Sequence, residues 1–196
     1  MMLSIFIYVL CIKKGLKTNR IVIIGGPASG KTTLINHLKK SGFDCLPEVS
    51  REIIKKAKHE GIDQLFLKDP ILFSQKLLEG RVSQFQQAED YESHYLFYDR
   101  GLPDVTAYLH YIKEEYPENF DEVCIKNRYD SVFLLPPWEQ IYAADSERYE
   151  TFEQALLIYG FLKKTYIDYG YIVTEVPKET IENRTAFILN HLNITT

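Results

Sequence analysis

Between Gly25 and Thr32 the chain reads Gly-Gly-Pro-Ala-Ser-Gly-Lys-Thr. This is the full pattern G-x-x-x-x-G-K-[ST], with a β-branched run before it and a helical pattern after it. Gly25, Gly26 and Gly30 allow a sharp turn and bring backbone N–H groups close to phosphate oxygens, with Pro27, Ala28 and Ser29 filling the loop between them. A helix starting near Lys31 points the positive end of its dipole at the same anion. Lys31 is spaced to reach β- and γ-phosphates, and the Thr32 hydroxyl to bind Mg²⁺, with Thr33 next in the nucleotide site.

Such a loop needs an acid at the end of a neighbouring buried strand, to hold Mg²⁺ directly or through water. The run "YLFYD" ends in Asp99, and Arg100 and Gly101 follow. The other duty open to Asp99 is capping the helix that begins at Pro103. The segment "FDCLPE" ends at Glu48, with Arg51 one helical turn later. A carboxylate there can accept the proton of an acceptor hydroxyl or bind the acceptor, and Arg51 can hold an anion with two prongs. Alternatively the two simply pair on a solvated helix start. Arg100 is grouped with them as a substrate-binding candidate. The segment "PPWEQIYAADSERYE" carries Asp145 and Arg148. An arginine delivered by a flap would neutralise charge on a transferring phosphoryl group and exclude water; otherwise it is a solvated surface residue. Arg81 and Arg128 read as structural, and Tyr108, Tyr111, Tyr159 and Phe161 as core.

Five strand-like runs position these residues: "RIVIIGG", "FDCLPE", "HYLFYD", "DSVFLLPP" and "YIVTEVP". Helical patterns alternate with them, the longest being "PILFSQKLLEGRVSQFQQAEDYES", with Gly80 inside it, and "TFEQALLIYGFLKKTYIDYG". Alternation of this kind predicts a mostly parallel sheet with helices on both faces and right-handed crossovers. Ligands in such sheets lie beyond the carboxyl ends of the strands, where the candidate residues fall.

The bulk composition fits one globular domain: 196 residues, 45% hydrophobic and 26% charged, with net charge -4. No global basic field recruits nucleic acid. Cys11, Cys45 and Cys124 form no C-x-x-C pair, which suits a reducing cytoplasm better than a disulfide framework. Residues 1–19 form an apolar extension, "LSIFIYVLCI" followed by "KKGLK". The run is too short to span a bilayer, and its lysines follow it where a secretory signal would place them before. A translation start assigned too early, a short extra strand and an interfacial anchor are the readings open to it. Residues 20–196 are expected to be the nucleotide-binding domain.

Taken together, "GGPASGKTTL", "GFDCLPEVSREI", "YDRGLPDVTAYL", "VFLLPPWEQIYAADSERYETFEQA" and "YGYIVTEVPKETIENR" resemble the NadR-like AAA family of P-loop ATPases, over about Arg20 to Leu192. That family includes the ribosylnicotinamide kinase domain of the bacterial NAD regulator and an animal branch described as binding GTP and phosphoinositide. The resemblance implies a P-loop NTPase three-layer α/β fold with a five-stranded sheet and a lid insertion. It implies recurring roles for Glu48, Arg51, the Asp99–Gly101 run, and Asp145 with Arg148. It favours ATP over GTP, with the base contacted near Pro177 and Lys178. The first activity it suggests is transfer of the γ-phosphoryl of ATP–Mg²⁺ to a hydroxyl acceptor, nucleoside-like among the options. The others are a nucleotide-gated protein with slow hydrolysis that acts through a partner protein or lipid, and a domain that binds nucleotide without turnover. No guanine-specifying "NKxD" and no "LSGGQ" occurs, which argues against Ras-like and ABC-type proteins.

Overall fold

The computed structural model describes residues 18–27, 29–142 and 150–194. Its centre is β1 (Asn19–Ile24). Ile21, Val22, Ile23 and Ile24 are fully buried, as a central strand covered on both faces requires. Successive side chains point to opposite faces. Val22 and Ile24 therefore join one core cluster, while Ile21 and Ile23 join the other. Each such aliphatic side chain contributes roughly 1.5–3 kcal/mol of burial.

Around β1 the chain forms α1 (Lys31–Lys40), β2 (Asp44–Leu46), α2 (Ser50–His59), a one-turn α3 (Leu65–Lys68) and α4 (Pro70–Gln87). Then come β3 (Tyr95–Asp99), α5 (Pro103–Ile112), α6 (Asn119–Lys126), β4 (Ser131–Leu134), α7 (Phe152–Asp168), β5 (Val173–Glu175) and α8 (Ile181–His191). The strand order is β2-β3-β1-β4-β5 and every pairing is parallel. The mostly parallel sheet expected from the sequence is thus wholly parallel. The chain leaves β1 for the β2 edge, returns to β3 beside β1, and then crosses to β4. That reversal opens a crevice above the carboxyl ends of β1 and β3.

Local chemistry fixes the ends of several elements. Gly42, in a left-handed conformation (φ 90°), lets the chain turn out of α1 into β2. Asp69 accepts from the Leu72 amide ahead of Pro70, so α4 begins with an N-cap and a proline at its first turn. Thr151 and Gln154 form a reciprocal capping box at α7. Gly80, in the interior of α4, is required by packing: a Cβ there would lie 2.6 Å from a Val49 methyl carbon. The α4 side chain of Gln84 also donates to the Pro47 carbonyl at 2.7 Å. Helix α4 therefore holds the segment that leads out of β2.

Candidate functional site

The phosphate loop leaves the end of β1 and enters α1. Gly30 adopts φ 77° and ψ 18°, a left-handed conformation that costs a residue with a Cβ roughly 1 kcal/mol or more. A Cβ on Gly25 would sit 2.8 Å from Ser29 Oγ and 2.9 Å from the Leu135 carbonyl oxygen. Ser29 Oγ itself donates to the Gly26 carbonyl at 2.8 Å and closes the loop from within. Lys31 is buried, with only 7% of its side chain exposed, whereas Thr32 and Thr33 are exposed. Burial pulls the Lys31 pKa down, and Arg100 adds to the effect, against the opposing pull of Asp99, Glu48 and Asp104.

Parallel pairing brings Asp99 to the same place. Asp99 lies opposite Ile23 in the register, and the Arg100 amide donates to the Ile23 carbonyl at 3.0 Å. Lys31 Nζ is then 3.6 Å from Asp99 Oδ1, an ion pair with both partners buried. Asp99 Oδ1 makes no hydrogen bond there. The helix-capping alternative for Asp99 is not what the fold uses. Asp104, in the first turn of α5, accepts from the Gly101 amide at 3.0 Å.

Next to the loop, between the β2–β3 side of the sheet and helices α2, α4, α5 and α7, is a cleft of about 470 Å³. Pro27 belongs to its wall, so cleft and phosphate loop are contiguous. Phe66, Phe73, Leu77, Val105, Ile158 and Leu162 supply apolar walls. The polar end is a network. Glu48 Oε1 lies 2.5 Å from Arg100 Nε and accepts from Ser50 Oγ at 2.7 Å. Arg100 also approaches Asp104 at 3.8 Å, and Asp104 Oδ2 accepts from the buried Tyr166 hydroxyl at 2.7 Å. Arg81, buried on α4, donates to the Gly101 carbonyl at 2.7 Å. Burial alone would push the Glu48 carboxyl up; Arg100, then Lys31 and Ser50, outweigh it and bring the pKa to about 2. Arg100 occupies φ 72°, a left-handed conformation for a residue with a Cβ, held by these contacts.

The sequence-derived candidates divide accordingly. Gly25, Gly26, Pro27, Ser29, Gly30, Lys31, Thr32, Thr33 and Asp99 converge at one point of the sheet edge, and Glu48 and Arg100 meet beside it. Arg51 is exposed on α2, and Arg100 takes the place at Glu48 that the sequence offered to Arg51. Tyr111, read as core, does pack against the core cluster and also lines the cleft, while Tyr108, read the same way, lines the cleft as a half-buried ring. Arg128 is structural: it caps the carbonyls of Tyr169 and Gly170 and stacks 4.1 Å over Tyr171. Pro177 follows β5 at the same carboxyl edge, half-buried, in a turn closed by the Glu179 amide. Ala28, Asp145 and Arg148 lie outside the described residues, as do residues 1–17. Tyr142 and Glu150, which flank the Asp145–Arg148 segment, meet through a 3.0 Å hydrogen bond.

The AAA domain family profile matches residues 20–184, spanning the loop, Glu48, Asp99 and both ends of the insertion. The chain belongs to the AAA domain family. A comparison with curated proteins finds no significant match. Among solved structures, the NadR protein in complex with NAD and AMP-PNP superposes with TM-score 0.68 at 14% identity, covering 94% of this chain. This chain spans about half of NadR, 52% of its length. Deoxyadenosine kinase from M. mycoides gives TM-score 0.62 at 17% identity, covering 89% of this chain and 98% of the kinase. Thymidylate kinase from Candida albicans gives 0.64 at 16% identity, covering 90% and 92%. At these identities the likeness shows the fold alone, the parallel five-stranded sheet flanked by helices already described.

Sequence reasoning missed Asp104, Tyr166 and Arg184 as parts of the site. Arg184, on α8, donates to the Ser29 carbonyl at 2.9 Å and is 3% exposed. A signal existed. Arg184 sits one helical turn before the buried Ile188. Arg81 likewise falls on the buried stripe of Leu77 and Leu78. A charge on a helix's apolar stripe is rarely buried without a task.

Proposed function

We propose that the protein is an ATP-dependent small-molecule kinase that passes the γ-phosphoryl of ATP to a hydroxyl of an acceptor seated in the cleft. The observation that carries this is contiguity: the cleft that contains Glu48 and Arg100 shares Pro27 with the phosphate loop. An acceptor hydroxyl at Glu48 would therefore face the end of a polyphosphate held by the loop. The kinase activities of the structural relatives support the same reading.

In this reading the loop amides and Lys31 bind the β- and γ-phosphates. Thr32 and Asp99 would hold Mg²⁺, which when bound neutralises charge between those phosphates. The residues fit such an ion: their donors are hard oxygens, and Asp99 Oδ1 is buried with no hydrogen bond to satisfy it. Among the described residues no group of three or more Asp, Glu, His or Cys side chains is arranged to hold a metal ion, so phosphates and water would have to complete its coordination. The acceptor oxygen forms a bond to the γ-phosphorus as the bond to the β-bridging oxygen breaks and ADP leaves. Glu48 takes the hydroxyl proton. A carboxylate with a pKa of about 2 is a weak base. It suffices because the transfer is loose and the proton leaves late, once the new O–P bond has made it acidic. Arg100 orients Glu48, Arg148 supplies charge over the transferring group from the insertion, and Arg51 meets a negatively charged part of the acceptor. Pro177 borders the base.

We place this chemistry in residues 20–196 and in the cytoplasm. Cys45 and Cys124 are free, and burial pushes both thiols up to about 12, as suits inert cysteines in a reducing compartment. Among the described residues no helix is long and apolar enough to cross a membrane.

The test is to incubate purified protein with ATP–Mg²⁺ and a panel of nucleosides and vitamin-like hydroxyl compounds, following products by mass. Acceptor-dependent ADP release with a phosphorylated product is expected. Slow ADP release that no acceptor accelerates would replace the kinase reading with the nucleotide-gated one.

A further inference from the structure

Arg184 is a buried charge to which the phosphate-loop chemistry above gives no role. It projects from α8 to the outer side of the phosphate loop, where its Nη2 donates to the Ser29 carbonyl at 2.9 Å. Its Nη1 is close enough that a Cβ on Gly30 would lie 2.8 Å from it. Its Nε is buried and has no hydrogen-bond partner. No carboxylate among the described residues forms an ion pair with it, and burial lowers its pKa with no opposing charge. A buried, unpaired guanidinium is costly and needs a compensating anion.

The geometry says where that anion belongs. A trans peptide is planar, with its carbonyl and N–H pointing in opposite directions. Arg184 holds the Ser29 carbonyl, so the Gly30 N–H points away from α8 and into the loop. The left-handed turn at Gly30 carries that amide directly into the first turn of α1.

We infer that Arg184 is a positioning residue for the nucleotide's polyphosphate: it fixes the Ser29–Gly30 peptide with its N–H toward the phosphates, and they supply the anion that its charge lacks among the described residues. This rests on the nucleotide reading above and adds a residue to it from the far end of the chain. It predicts opposite signs for stability and affinity. Removing the charge should relieve the unliganded protein and weaken the liganded one. A purely structural strut would weaken both.

The experiment compares wild type with Arg184→Leu and Arg184→Lys, measuring the unliganded melting temperature and Kd for ATP and for inorganic tripolyphosphate. In Arg184→Leu, both ligands should weaken roughly tenfold or more, the order of one charge-assisted hydrogen bond, with the melting temperature held or raised. Arg184→Lys should recover part of the tripolyphosphate affinity, since the charge returns without the planar fork. Loss of ATP binding alone would make Arg184 a base contact and overturn the inference. So would unchanged affinities, or affinity losses that track a lowered melting temperature in both variants. A wild type that binds neither ligand would overturn the nucleotide reading as well, whereas a wild type that binds both separates the two failures.

Discussion

In the phosphate loop, the polar groups available to a ligand belong mainly to the backbone of one continuous stretch, Gly25 to Thr32. In the cleft beside it they belong to side chains gathered from the ends of β2 and β3 and from α4, α5 and α7. The loop is shaped by what it lacks: no Cβ fits at Gly25, and Gly30 turns left-handed. The cleft is shaped by what pairs: Glu48 with Arg100, Arg100 with Asp104, and Asp104 with Tyr166. Charge follows the same divide. The cleft carboxylates Glu48 and Asp104 face the cations Arg100 and Arg81, whereas the loop adds Arg184 to a Lys31 that already has Asp99. A surplus of cation favours a polyanion such as the polyphosphate proposed for the loop, whereas balanced charges leave a carboxylate free to face the hydroxyl of the proposed acceptor.

The sharpest way to break this contrast is at Lys31. Lys31→Ala should fold and lose about two to three orders of magnitude in turnover, on the order of 3 kcal/mol of transition-state stabilisation. Steady-state kinetics with a circular dichroism spectrum is the check, and wild-type turnover by a folded variant would remove the loop from the chemistry. On the cleft side, Glu48→Gln should cost about 10²-fold in acceptor-dependent turnover, the lower range for a proton-transferring group. Its ATP affinity should remain close to wild type. An equal loss of ATP affinity would show that the two regions act as one.

Tyr166→Phe tests the network itself. It removes a buried hydroxyl that donates to the Asp104 carboxylate, a contact worth about 1.5–3 kcal/mol. Denaturant unfolding should show that loss, and KM for the acceptor should rise more than KM for ATP because Asp104 steadies Arg100. The last test concerns pH. Glu48 has a folded pKa of about 2, below its unfolded value of about 4.3. It therefore contributes stability that is fully present above the unfolded pKa and is lost as pH falls toward 2. The stability gap between wild type and Glu48→Gln should stay level from pH 7 to 5 and shrink from there to pH 3. A gap independent of pH would mean that Arg100 does not hold Glu48 ionised.

The two regions were also unequally legible. The loop was readable because glycine spacing, a lysine and a threonine are all consecutive, and because "RIVIIGG" could only be a strand buried on both faces. Asp99 was readable from its place at a strand end. The Glu48–Arg100 pair was not, because Arg51 is nearer in sequence and only the β2–β3 pairing brings Arg100 alongside. Tyr108 and Tyr111 read as core because aromatic residues on an α5 pattern usually are; α5 packs closely on α7, and the cleft that exposes part of both rings opens where α5 and α7 face residues of α2, α3 and α4. Arg184 is separated from Ser29 by 155 positions, a distance no local pattern bridges. The one-turn α3 lacked any periodicity to announce it.

Gly80 has a consequence for the cleft. Helix α4 touches Val49 at Gly80 and Pro47 through Gln84, and Glu48 is the residue between those two contacts. A substitution as small as alanine at position 80 would gain helix propensity but press on a Val49 methyl, and any backbone shift of Val49 would carry to Glu48 beside it. Position 80 can thus shift the carboxylate at one end of the cleft without altering any residue that lines it.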